Sequence, residues 1–167
     1  MKPADITPIF KGCNAHIVNG ETVIDQLLTD SRRTGNLAQC IFFAIPTLRN
    51  TGCRYVLDLY HRGVRNFVVP IQEDEPQYLT QFEQCVEANF WYVEGVVLAL
   101  QQLASFHRNR FDVPVVGITG SNGKTIVKDW IVQMLGSVCH IAASPRSYNS
   151  QIGVPLSVWQ RKADTQL

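Results

Sequence analysis

The residues best suited to chemistry lie together in the run VVGITGSNGKT, from Val115 to Thr125. Glycines at 120 and 123 would let the backbone N–H groups around Ser121 and Asn122 turn toward an anion. Lys124 would add a mobile positive charge on the β- and γ-phosphates of a nucleotide, and the Thr125 hydroxyl would ligate the Mg2+ ion that bridges them. On this reading Gly120, Ser121, Asn122, Gly123, Lys124 and Thr125 bind the nucleotide, and Lys124 is the catalytic candidate. The strict phosphate-loop pattern asks for glycine at position 118, where this chain has Ile118, and Gly117 is one place too early. The plainer alternative is a glycine-rich turn with an exposed lysine.

A loop of this kind needs a strand before it and a helix after it. The unpaired N–H groups and the dipole at the helix start then both favour negative charge. Val115-Val116-Gly117-Ile118 has the β-branched content of a buried parallel strand. From Thr125 to Leu135, Ile126, Trp130, Ile131 and Met134 recur at helical spacing, and Gly136 can cap the end. Val138–Ala142 reads as the following strand, then a polar loop runs from 144 to 151 and a helix opens at Pro155.

Upstream, Ala15–Val18 and Thr22–Ile24 flank Asn19-Gly20, a pair that takes type I′ turn angles, so a hairpin is expected. Ile41–Ile45 is a short apolar run closed by Pro46, as in a buried strand. Tyr55–Arg62 has helical spacing with Gly63 at its end, and Asn66–Pro70 reads as the next strand. The acidic stretch at 72–75 reads as a solvated loop rather than a metal site. Val93, Val96, Val97, Leu100, Leu103 and Ala104 share one face of a helix expected from Val93 to Arg108.

The composition is that of a soluble globular protein, 46% apolar and 17% charged. A formal net charge of +1 argues against a nucleic-acid or membrane-surface partner bound mainly by electrostatics. The five cysteines are scattered and include no CxxC pair, so free thiols in a reducing compartment are expected. The start MKPADITPIF has no signal-peptide pattern, and no apolar run approaches the roughly 20 residues that span a bilayer. A cytoplasmic protein is the expectation.

Three separated segments carry a family resemblance. ITGSNGKT resembles the ATP-binding loop of the Mur ligases, the enzymes of peptidoglycan precursor synthesis. SYNSQIGVPL, from Ser147 to Leu156, is similar to the segment of the branch that adds D-alanyl-D-alanine. Thr29-Asp30-Ser31-Arg32, Asn36-Leu37 and Phe42–Ile45 are similar to the family's TDSR, G-D-L and F-hydrophobic-A sequence. LYHRGVRNFVV and SPRSYNSQIGVPLSVW look closest to ligases fused to an alanine racemase, whose pyridoxal phosphate would lie outside this chain.

The resemblance implies an α/β fold in which a small substrate-binding domain, residues 1–90, precedes a truncated phosphate-loop ATPase domain, residues 91–167. It implies an ATP-dependent ligase acting on UDP-N-acetylmuramoyl-tripeptide and D-alanyl-D-alanine through an acyl phosphate. The site for the incoming dipeptide would lie beyond this chain, and no turnover is expected from the fragment. By the same resemblance Ser31 and Arg32 would contact the UDP part, and Asn149 and Ser150 the nucleotide or the muramoyl substrate. The plainer readings are a local turn capped by Asp30 and Ser31, and loop residues that position Ile152–Leu156. Asn50–Arg54 stands where the family commonly has Asp-Gly-His, with Cys53 at the histidine.

His107 and His140 are expected to pack, and His16 and His61 give no better case for catalysis. Trp91, Trp130 and Trp159 are expected in the core. A small kinase or switch GTPase would need a second, Asp-containing motif, for which the tail offers only Asp129 and Asp164. A UDP-binding module without chemistry is the other alternative.

Overall fold

Runs of apolar residues long enough to be buried on both faces become the parallel strands of one sheet. In the computed structural model, which describes residues 1–47, 51–71, 76–145 and 148–167, these are β2 (Gln26–Leu28), β3 (Cys40–Phe43), β4 (Asn66–Pro70) and β5 (Asn89–Val93). A short β1 (Asn14–His16) pairs antiparallel with β5, giving the order β1-β5-β4-β3-β2. Helix α1 (Pro3–Ile6) begins the chain, and α2 (Val56–His61) and α3 (Pro76–Glu83) make the crossovers β3 to β4 and β4 to β5. The chain divides into two compact units, Met1–Leu103 and Ala104–Leu167, within α4 (Val96–Asn109).

In the first unit the pleat sends alternate side chains to opposite faces. On one face Phe67 and Phe82 stack on Phe90 at 5.3 and 5.1 Å, beside Val56 and Leu59 of α2. On the other, Phe10 meets Phe43 and Trp91 edge-on at 6.5 and 6.3 Å. The Trp91 indole N–H donates to Thr7 Oγ1 at 2.9 Å, so its buried polar end is satisfied. Each such side chain contributes about 1.5–3 kcal/mol by leaving water.

The expected hairpin does not form. Its first arm is taken up by β1, which pairs with β5, and its second arm, Thr22–Ile24, lies in no strand. The buried Asn89 side chain takes the groups the turn would use. Its Oδ1 accepts from the Val18 and Asn19 N–H groups at 2.8 and 2.9 Å, and its Nδ2 donates to the Asn19 carbonyl at 2.9 Å. Ile24 exchanges backbone hydrogen bonds with Met1 instead. Val93 ends β5 rather than starting a helix, and α4 buries Val96, Ala99, Leu100 and Leu103.

In the second unit, α5 (Lys124–Leu135) and α6 (Gly153–Trp159) form as expected. The expected strands Val115–Ile118 and Val138–Ala142 do not. A strand requires a hydrogen-bonded neighbour, and no strand occurs among the described residues of this unit. Val115 is 63% exposed, and no α5 residue is buried. Trp130, expected in a core, is 61% exposed, whereas Trp91 and Trp159 are buried. The segment at 140–142 bonds instead to the chain end, with Ala142 N–H on the Leu167 carbonyl and Gln166 N–H on the His140 carbonyl, both at 2.8 Å. The acidic stretch 72–75 lies outside the described residues.

Candidate functional site

The glycine loop opens α5 through backbone angles that L side chains rarely adopt. Gly123, at the helix N-cap, has φ +79° and Gly120 has φ +141°. Lys124 folds back over the loop, donating from Nζ to the Gly120 carbonyl and, at 3.4 Å, to that of Ser121. Ser121, Asn122, Gly123, Lys124 and Thr125 line a cavity of about 660 Å³, which Asn149 also reaches. That volume suits a small-molecule ligand.

The electrostatics of the cavity are one-sided. Lys124, Lys128, Arg108 and Arg161 line it, and among the described residues no Asp or Glu side chain does. Lys128 lies one helical turn after Lys124, donates to the Ser144 carbonyl at 3.0 Å and pairs with Asp129 at 3.2 Å. Arg108 is held by the carbonyls of Phe111 and Val113 at 2.7 and 3.3 Å. Burial, and then neighbouring Arg108, pull Arg161 below the ordinary arginine range. The Lys128 position was legible from its i+4 spacing to Lys124. Arg108 and Arg161 come from distant positions, and no local pattern marks them.

For a magnesium ion, the fitting chemistry is modest. Among the described residues no group of three or more His, Cys, Asp or Glu side chains could hold a metal. Mg2+ bound with a nucleotide needs no such cage, since it keeps waters and takes phosphate oxygens with one or two protein ligands. The Thr125 hydroxyl, in the first turn of α5, is the protein oxygen that fits.

In the first unit, Ser31 and Arg32 follow the carboxyl end of β2, the side of an open α/β sheet where ligands bind. Asp30 Oδ1 accepts from the Arg32 N–H at 3.0 Å, and the Arg33 N–H bonds the Asp30 carbonyl at 3.3 Å. The same carboxylate grips the Arg32 guanidinium at both oxygens, with Nε–Oδ1 2.9 Å and Nη2–Oδ2 2.7 Å. These bonds from Arg32 hold the Asp30 carboxyl down to about 2. Arg62, at the end of α2 and without any local sequence signal, donates to the carbonyls of Ser31 and Arg33.

No protein-family model matches the chain. The UDP-N-acetylmuramoyl-tripeptide–D-alanyl-D-alanine ligase of Bacillus subtilis is 28% identical to it over 167 residues, 98% of this chain and 34% of that protein. Along nearly its whole length the chain is thus similar to about a third of a Mur ligase. MurF from Acinetobacter baumannii superposes with a TM-score of 0.79 at 21% identity, covering 98% of this chain and 33% of that one. MurF ligase from Thermotoga maritima, solved in complex with ADP, gives 0.67 at 20% identity over 87% of this chain and 31% of its own. These structures agree in fold, and the chain spans about a third of the length of the relatives it matches.

Two positions singled out by the resemblance have clear physical accounts. Gly52 follows Thr51, whose side chain accepts from the Cys53 N–H. A Cβ at Gly52 would lie 2.5 Å from the Ala44 carbonyl carbon and 2.8 Å from the Ile45 nitrogen, so only glycine fits this close approach to the end of β3. Cys53, in place of the usual histidine, is fully buried, and Asn50 lies outside the described residues. Ser147 of the SYNSQIGVPL segment also lies outside them. Ser150 Oγ accepts from the Gly153 N–H at 2.9 Å at the start of α6, while Asn149 is exposed at the cavity. His107 is a packing residue, its ring 4.5 Å from Trp159 and 5.0 Å from Phe111. His16, His61 and His140 are exposed, and His140 Nδ1 lies 3.5 Å from Asp164.

Proposed function

We propose that this chain is part of an ATP-dependent ligase that joins D-alanyl-D-alanine to UDP-N-acetylmuramoyl-tripeptide in the cytoplasm. The observation that carries the reading is that the likeness to the Bacillus subtilis ligase runs through both units, over 98% of the chain. Met1–Leu103 supplies the UDP-substrate side, through Ser31 and Arg32. Ala104–Leu167 supplies the opening of the nucleotide site through Gly120–Thr125, with Asn149 beside it and Ser150 positioning the segment that follows.

The work of these residues is to hold polyanions. Backbone N–H groups of the loop would face the phosphates, and Lys124 would leave its carbonyl partners for the β- and γ-oxygens. Transfer of the γ-phosphoryl group to the tripeptide carboxylate makes that carbon open to attack by the dipeptide amine, with phosphate leaving as the amide forms. Magnesium, when bound, neutralises phosphate charge beside Thr125. Residues 1–167 are proposed to bind without turning over, because they span a third of the related ligase. The segments LYHRGVRNFVV and SPRSYNSQIGVPLSVW support a parent fused to an alanine racemase carrying pyridoxal phosphate.

Titration of the chain with magnesium-ATP tests the nucleotide half. Lys124→Ala removes charge-assisted bonds and is expected to weaken binding roughly 10- to 100-fold. Equal affinity in both proteins would remove Lys124 from the site.

A further inference from the structure

The turn that carries Ser31 and Arg32 is held from another element. Arg62 directly follows α2 and donates from Nη1 to the Ser31 carbonyl at 2.6 Å and from Nη2 to the Arg33 carbonyl. Asp58, one helical turn earlier, accepts from the same Nη1 at 3.2 Å and so aims the guanidinium. One planar cation thus fixes the peptide groups on both sides of the Arg32–Arg33 link. Arg32 itself is 88% exposed, so packing does not orient it.

The remaining donors of Arg32 are suitably arranged. Asp30 takes the Nε–Nη2 edge of the guanidinium, and the Nη1–Nη2 fork is the edge on which a second anion can land in bidentate fashion. That presentation depends on the backbone direction at residues 31 to 33, which Arg62 sets. A lysine at 62 is a point donor on a flexible stem and cannot span two carbonyls in a fixed plane.

We propose that Arg62 is a positioning residue for the anion site of Ser31 and Arg32, holding the turn so that Arg32 meets a diphosphate without touching the ligand itself. The proposal rests on the reading of Ser31 and Arg32 as contacts for UDP.

The test uses the full chain, with UDP as the probe, in wild type, Arg62→Ala, Arg62→Lys and Arg32→Ala. Calorimetry reads affinity, thermal melting reads the fold, and 15N NMR reads the Arg32 Nε–H signal, assigned by its loss in Arg32→Ala. The expected result for Arg62→Ala is a melt within a few degrees of wild type, UDP binding weakened about tenfold or more, and a broadened Arg32 Nε–H signal. Arg62→Lys is expected to recover little of the affinity, and it carries the same comparison if the alanine variant does not fold. Wild-type affinity together with an unchanged Nε–H signal in the folded variant overturns the proposal, as does full rescue by lysine. If wild type itself fails to bind UDP, the UDP reading falls. The Nε–H signal then decides separately whether Arg62 holds the turn.

Discussion

Asp30 and Arg32 close a local turn with the same motif that the proposed function turns toward a ligand. The carboxylate accepts the Arg32 guanidinium and, with smaller effect, its backbone N–H, which together hold its pKa at about 2. Because the folded value lies below the ordinary carboxylate value, the pair's contribution is present above that value and is lost as pH falls through about 2. The pair is largely exposed, so its effect on stability is small. Its signature is the titration itself: Arg32→Ala removes the guanidinium but keeps the backbone N–H bond, and is expected to raise the Asp30 pKa from about 2 toward the ordinary carboxylate range, followed by carboxyl NMR. A midpoint that stays near 2 would mean that Arg32 is not the cause. Gly52 gives a second prediction. Gly52→Ala forces a Cβ into the backbone at Ala44 and Ile45 and is expected to cost about 1–3 kcal/mol in a denaturant melt. An unchanged midpoint would contradict that contact.

At the scale of elements, β3, β4 and α5 were legible because their signals are local: a short β-rich apolar run, or apolar residues at helical spacing. β5 was missed, although NFWYV is as apolar as β4, because the helix that follows shares Val93 with its pattern. The hairpin failed for a long-range reason, the capture of the Val18 and Asn19 N–H groups by Asn89, which lies about 70 residues away in sequence. The Val115–Ile118 run has strand composition, but among the described residues it has no strand to pair with. The site divides in the same way. The glycine loop is contiguous and was readable, while Arg62 reaches across from 29 to 31 residues away and leaves no local pattern.

The His107 contact between α4 and the segment after α6 gives a pH prediction. Burial pulls the His107 pKa below its ordinary value, although Nε2 lies 3.1 Å from the Arg161 carbonyl, and Arg110 adds a like charge. The unfolded chain therefore binds the proton more readily. Stability should fall as pH drops below the unfolded histidine value near 6.5 toward the lowered folded value. Melting of the wild type at pH 7 and pH 5, against His107→Gln, checks this. An equal loss in the variant would assign the pH dependence to another group.

For the whole molecule, the proposed function requires an anion site in each of the two units. Met1–Leu103 carries the Ser31–Arg33 turn at the carboxyl end of its sheet, and Ala104–Leu167 carries the glycine loop in a cationic cavity. With a formal net charge of +1, the chain offers no general attraction for polyanions, so binding has to come from these local arrangements. The most direct measurement is calorimetric titration of wild type and Arg32→Ala with UDP-N-acetylmuramoyl-tripeptide. The account predicts saturable binding by wild type, weakened at least about tenfold in the variant. No binding by wild type, or equal binding by both proteins, would contradict the assignment of the first unit as the UDP-substrate side of a ligase.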